Sequence, residues 1–174
     1  MIFYEKHDLL IRDMNVEDIY TIHNERLSHG WHSDISVYEK YLEDQVNNRL
    51  FVFIAEYKGE MVGYTTLKPY ANIGPFVSRK LPEISDFNVF VKYRYKGIGS
   101  SILDFVESYA SQSSDTITLA VGLHSGYGAA QRLYIKRGYI PDGSGVWYKD
   151  SNLIPYTDCS NDDLLVLYLY KQIR

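Results

Sequence analysis

Residues 94 to 99 read Arg94-Tyr95-Lys96-Gly97-Ile98-Gly99, between an extended apolar stretch, Ile84 to Val91, and a segment of helical spacing that begins at Ile98. Glycine at 97 and 99 lets the main chain approach a ligand with no side chain in the way. The first turn of a helix, here Ile98 to Ser101 with Ser100 between, offers amides that lack intrahelical partners and have the positive end of the helix dipole behind them. Arg94 and Lys96 add two cations to the same turn. A strand, a basic glycine-containing turn and a helix start together describe an anion site suited to a pyrophosphate.

Spacing narrows the anion. A dinucleotide fingerprint calls for a third glycine three residues after the second, where this chain has Ile102. A phosphate loop ending Gly-Lys-Ser/Thr needs its lysine after the glycine, whereas Lys96 precedes Gly97. The pattern present, R-x-x-G-x-G, resembles the coenzyme-A loop of the GNAT superfamily of N-acetyltransferases, in which the pyrophosphate of acetyl-CoA lies on that helix start. A second motif follows in the family's order: Ala130-x-x-Leu133-Tyr134-x-x-x-Gly138-Tyr139 is similar to the family's A-x-x-L-Y-x-x-x-G-F/Y segment. The chain departs from the pattern at Tyr127, within Ser125-Gly126-Tyr127-Gly128, where the family commonly has an asparagine that helps hold the cofactor.

The elements that must position these residues can be read from periodicity. Leu9 to Arg12 predicts a first strand, and Asn15 with Asp18 predicts a capped helix to about Arg26. Ser36-Val37-Tyr38-Glu39 reads as a capping box opening a second helix to about Asn47. Leu50–Tyr57 and Glu60–Leu67 are β-branched-rich runs joined at Lys58-Gly59, the pattern of a hairpin. Glu83 to Val91 predicts the central strand; Ile98, Ile102, Phe105, Val106 and Tyr109 recur on one helical face; and Thr116 to Val121 alternates as a strand. A helix from Ala129 to Arg137 stops at Gly138, residues 149 to 163 read as a polar loop, and Leu164 to Tyr170 as the last strand. The resemblance implies an α/β GNAT fold, a mixed sheet of about seven strands flanked by about four helices, in a single domain over residues 1–174.

The same resemblance implies the chemistry: transfer of an acetyl group from acetyl-CoA to a primary amine of a small molecule or peptide, by direct attack through a tetrahedral intermediate. An alkylammonium has no lone pair, so a base or a proton-carrying water chain is required. In the family that role often falls to a carboxylate on the central strand, and Glu83 and Asp86 are both candidates. On a regular strand they face opposite sides, and Glu83 can also be read as a solvated strand end. The family places an oxyanion donor on the main chain near Val89, with the backbone of Val89 and Val91 along the cofactor. Tyr134 matches the general acid that protonates the departing thiolate; its bland reading is a core aromatic. A non-catalytic acyl-CoA sensor is the alternative that the missing asparagine leaves open.

Composition limits the setting. With 174 residues, 45% of them hydrophobic, the chain is long enough for one substantial core, and no repeat or linker divides it. A formal net charge of −4 argues against a general nucleic-acid binder. No apolar run reaches membrane-span length or resembles a signal peptide, so no membrane partner is expected. Cys159, the single cysteine, cannot close an internal bridge, and a reducing cytoplasm is the simplest home. His29-x-x-His32 has no third ligand of suitable spacing, so no metal is expected. In the family's fold the loops carrying Trp31, Tyr156, Asp158, Asp162 and Asp163 flank the acceptor pocket, where the acidic residues would suit a cationic amine. Many family members pair, so a homodimer is compatible with the resemblance.

Overall fold

Lys58 and Gly59 both take left-handed backbone conformations, φ 54° and 79°, the twist that a two-residue hairpin requires. In the computed structural model, which describes residues 1–6 and 8–174, this turn joins two of nine strands. In chain order the elements are β1 (Ile2–Lys6), β2 (Leu9–Asp13), α1 (Val16–Ser28), α2 (Ile35–Val46), β3 (Phe51–Tyr57), β4 (Glu60–Lys68), β5 (Glu83–Val89), α3 (Ile98–Ala110), β6 (Thr116–Gly122), α4 (Gly128–Lys136), β7 (Ile140–Tyr148), β8 (Ser151–Asn152) and β9 (Leu165–Gln172). The fold is α/β with a mixed sheet and four helices, as expected. The strands beyond the expected seven are β1 and the two-residue β8, which pairs back on β7 through left-handed Lys149 and Asp150 inside what reads as a polar loop.

The chain forms two compact units. The first comprises residues 1–68 and 86–106. Its strands run β1-β2-β3-β4 in antiparallel order, followed by the second half of β5. Asn15 caps α1 as its spacing predicts, accepting from the Asp18 amide at 3.2 Å while the Asp18 carboxylate accepts from the Asn15 amide at 2.8 Å. The cap of α2 differs: Asp34, not Ser36, sits in extended conformation before it and accepts the Ser36 amide at 2.9 Å. A carboxylate at that position satisfies the orphan donor and opposes the dipole better than a hydroxyl. The core between these helices and strands is Met14, Ile19, Ile22, Tyr38, Leu50, Val52, Ile54, Tyr64 and Phe90. Arg12 ties β2 to α1 and β3 through Asp18 (2.6 Å) and Glu56 (2.7 Å).

Two irregularities shape the end of β5. The strand stops at Val89, short of the expected Val91, and residues 91–93 make a single 3-10 turn. Phe90 drives the change: its side chain is buried in the core and its amide donates to the Val62 carbonyl at 2.9 Å. Facing it, β4 carries an extra residue near Val62, a bulge in its pairing with β3. Gly63 beside that bulge is closely packed, since a Cβ there would lie 2.4 Å from the Asn88 carbonyl oxygen.

The second unit comprises residues 69–85 and 107–174. The first half of β5 runs parallel to β6, with Glu83 opposite Thr118, and the order continues β6-β9-β7-β8 with antiparallel pairs. Ala71, Phe76 and Tyr168 form a buried cluster with Trp147 and Tyr170 against it. Gly138 (φ 88°) ends α4 as expected, and the Tyr139 amide returns to the Tyr134 carbonyl at 3.1 Å. Glu107, buried at 8% exposure, accepts from Arg137 (3.0 and 2.8 Å) and from Lys171 (2.6 Å), joining three segments of this unit.

Candidate functional site

The basic turn is built as the spacing predicts. Tyr95 and Gly97 are both left-handed, φ 61° and 82°, so the chain folds sharply around Lys96 before α3 begins. Nothing lies within 4 Å of a Cβ placed on Gly97, which leaves the main chain there open to a ligand. The Ser101 amide donates to the Gly97 carbonyl at 3.1 Å and closes the first helical turn, with Gly99 and Ser100 inside it. Buried Ile98, Ile102 and Val106 hold the helix down, and the Phe105 ring meets the Phe53 ring edge-on at 5.0 Å. Lys96 is exposed, its ammonium 5.4 Å from the Tyr93 ring centroid. An open left-handed glycine, a helix start and a solvent-facing lysine are a donor set that fits a diphosphate.

Arg94 is held differently from Lys96. Its Nε donates to the Val89 carbonyl at 2.8 Å and its guanidinium lies 5.3 Å from the Trp31 ring centroid. The guanidinium of Arg26, on the last turn of α1, lies 5.9 Å from the same indole, and its Nε donates to the His32 carbonyl at 3.0 Å. The Trp31 amide donates to the Arg26 carbonyl at 3.1 Å, and the His29 ring lies 5.2 Å from the indole. Val91, placed by sequence alongside a cofactor, lies in the 3-10 turn and is exposed, off the strand that Val89 ends.

Asp86 stands in the middle of β5, partly buried, with two phenols converging on one oxygen. Tyr64 of β4 donates to Oδ2 at 2.8 Å and Tyr41 of α2 donates to the same oxygen at 3.2 Å. Thr65 fixes the backbone beneath by donating to the Asp86 carbonyl at 2.9 Å. Burial pushes the Asp86 carboxyl above the usual aspartate range, against the lowering effect of the two phenolic bonds. Burial and the Asp86 charge push both phenols upward, so Tyr41 and Tyr64 remain protonated donors. Neither tyrosine was legible as a site residue; Tyr64 reads as part of an apolar strand and Tyr41 as one turn after Tyr38 on a helix.

The other candidates lie in the second unit. Glu83 is 5% exposed, which overturns its reading as a solvated strand end. Its charge, after burial, helps push the Tyr168 hydroxyl up to about 12. Tyr134 is the buried residue of α4, its ring 5.6 Å from that of Tyr139. Tyr127, in the place of the expected asparagine, is committed to the protein itself: its ring covers Gly122 and its hydroxyl donates to Asp163 Oδ1 at 2.9 Å. His124 accepts the Gly126 amide on Nδ1 at 3.1 Å and donates from Nε2 to that same Asp163 oxygen at 2.9 Å. Asp162 accepts the Leu164 amide at 2.9 Å and the Tyr148 hydroxyl at 3.3 Å. Among the described residues no three His, Cys, Asp or Glu side chains gather as a metal site would need.

Residues 16–139, which contain both motifs, match the model of the acetyltransferase (GNAT) family. The chain belongs to the GNAT family. YhfO of Bacillus subtilis (strain 168), an uncharacterized N-acetyltransferase by name, is 30% identical over 118 residues, 67% of this chain and 76% of its own. Among solved structures, the Salmonella typhimurium acetyl transferase that modifies the N-terminal serine of ribosomal protein L7/L12 superposes with a TM-score of 0.73 at 12% identity, covering all of both chains. The acetyltransferase yncA of Salmonella typhimurium, solved with acetyl-CoA, gives 0.67 at 16% identity over 97% of this chain and 95% of that one. This GNAT chain is therefore an acetyl-CoA-dependent N-acetyltransferase. No helix among its described residues is long and apolar enough to cross a membrane.

Proposed function

We propose that this GNAT enzyme acetylates a primary amine of a small molecule or peptide, with Asp86 as the base. Acetyl-CoA, when bound, supplies an activated acetyl thioester. Arg94 to Ser101 is the segment proposed to hold its pyrophosphate, through the open main chain at Gly97, the helix start and Lys96. The incoming ammonium gives its proton to Asp86, and the freed nitrogen attacks the carbonyl carbon to form the tetrahedral intermediate. The Val89 amide is the proposed donor to the developing oxyanion. As the intermediate collapses and the carbon–sulfur bond breaks, Tyr134, carried over from the family motif, gives its proton to the departing sulfur, and the second proton that the attacking nitrogen must lose restores the Tyr134 hydroxyl by way of solvent. A cytoplasmic setting accords with the single cysteine, Cys159, which is exposed and unpaired.

One observation carries the choice of base: Asp86 is a carboxylate raised above its usual range yet held in one orientation by two phenols. That combination makes a stronger proton acceptor than an ordinary aspartate and holds it in one orientation. The test is thiol release from acetyl-CoA across polyamines, aminoglycosides, amino acids and peptide N-termini. Asp86→Asn should lower kcat about 10²- to 10⁴-fold, and Tyr134→Phe by a similar factor with little change in acetyl-CoA affinity. Full turnover in Asp86→Asn together with a large loss in Glu83→Gln would transfer the base role to Glu83.

A further inference from the structure

Two of the three acidic loop residues that would suit a polycationic acceptor are engaged with the protein's own donors: Asp163 with His124 and Tyr127, Asp162 with Leu164 and Tyr148. In the first unit the charges that meet the Trp31 ring have the opposite sign. Arg26 and Arg94 are both partly buried, both face Trp31, and neither forms an ion pair with a carboxylate among the described residues. The other partly buried arginines differ: Arg12 is paired with Asp18 and Glu56, and Arg137 with Glu107. A partly buried guanidinium with no carboxylate at ion-pair distance is open to an anion brought by a ligand.

We propose that the acceptor carries an anionic group beside its amine, a carboxylate as in an α-amino acid, and that Arg26 receives it while Asp86 receives the amine. This rests on the reading of Asp86 as base. Arg26 is prepared for the task, since its Nε is tied to the His32 carbonyl at 3.0 Å and its guanidinium carbon lies 5.9 Å from the Trp31 ring centroid. A guanidinium held through Nε keeps its two terminal nitrogens for a planar, two-oxygen partner. Its charge reaches the base as well: Arg26 acts to lower the pKa of both Asp86 and Tyr41. One substrate bridging Asp86 and Arg26 must therefore be zwitterionic. Arg94, bound to the Val89 carbonyl, places its guanidinium carbon 5.3 Å from the centroid of the same Trp31 ring and so ties this cluster to the end of β5. A polyamine would bring a second cation against Arg26, so the same geometry selects against it.

The deciding measurement compares kcat/KM for matched acceptors on the wild-type enzyme: an α-amino acid, the same amino acid as its carboxamide, and a diamine of equal length. The expected result is a 30- to 100-fold preference for the acid over the amide, with the diamine poorest, roughly what one charge-assisted bidentate pair provides. In Arg26→Gln that acid-to-amide ratio should fall to near one through KM, and Arg26→Lys should restore part of it. Equal turnover of acid and amide, or a preference for the diamine, would overturn the inference and leave the amine reading intact. Absence of thiol release with every amine would remove both.

Discussion

At the scale of single residues, the informative group is Asp86, a carboxylate whose charge is opposed by burial and supported by two phenolic hydrogens. The sign of a test follows from that balance. The base works ionised, so turnover falls as pH drops through its pKa, and that acidic limb should lie above the ordinary aspartate range. Tyr64→Phe removes a hydrogen bond that favours the charged form, which raises the Asp86 pKa further. The acidic limb of kcat/KM should therefore move to higher pH in Tyr64→Phe; an unmoved limb would mean that another group titrates. The sequence offered Asp86 and Glu83 as equals because alternation along a strand says only which side a residue faces. Their difference lies in partners from other elements, Tyr41 from α2 and Tyr64 from β4, and no spacing within one segment encodes those.

At the scale of elements, most of the fold was legible because each segment declares its own period. The hairpin at Lys58-Gly59, the Asn15 cap, the buried face of α3 and the Gly138 stop are local decisions, and the structure agrees with them. The departures come where neighbours decide. Asp34 outcompetes Ser36 for the α2 cap, Phe90 pulls β5 to an end before Val91, and β1 pairs only because β2 offers it an edge. The turn before α3 was legible in full, and it yields a clean test. A Cβ at Gly97 meets no protein atom within 4 Å, so the chief cost to the fold should be the left-handed strain, about 1–2 kcal/mol. Gly97→Leu should nonetheless weaken acetyl-CoA binding about 10- to 100-fold by calorimetry, the equivalent of one or two charge-assisted bonds lost. Undiminished affinity would move the pyrophosphate elsewhere.

At the scale of the whole molecule, we propose that residues 1–174 act as one domain although the chain forms two compact units. Strand β5 and helix α3 each supply residues to both, β5 dividing after Ser85 and α3 after Val106. The expectation is a single cooperative unfolding transition. Glu107 is the point at which to probe it, because its carboxylate accepts from two mostly buried cations, Arg137 and Lys171, and removing it takes those charge-assisted bonds from both. Glu107→Ala should cost about 3 kcal/mol, a fall of roughly 6–12 °C in Tm for a chain of this size, with one transition still observed by calorimetry. The division of the chain carries one more consequence. Since residues 69–85 belong with the later part and residues 86–106 with the earlier, no single cut, by protease or by gene, leaves both halves intact. Only a pair of overlapping fragments, 1–106 and 69–174, would each contain every residue of one unit, and reconstituting this enzyme from pieces would have to begin there.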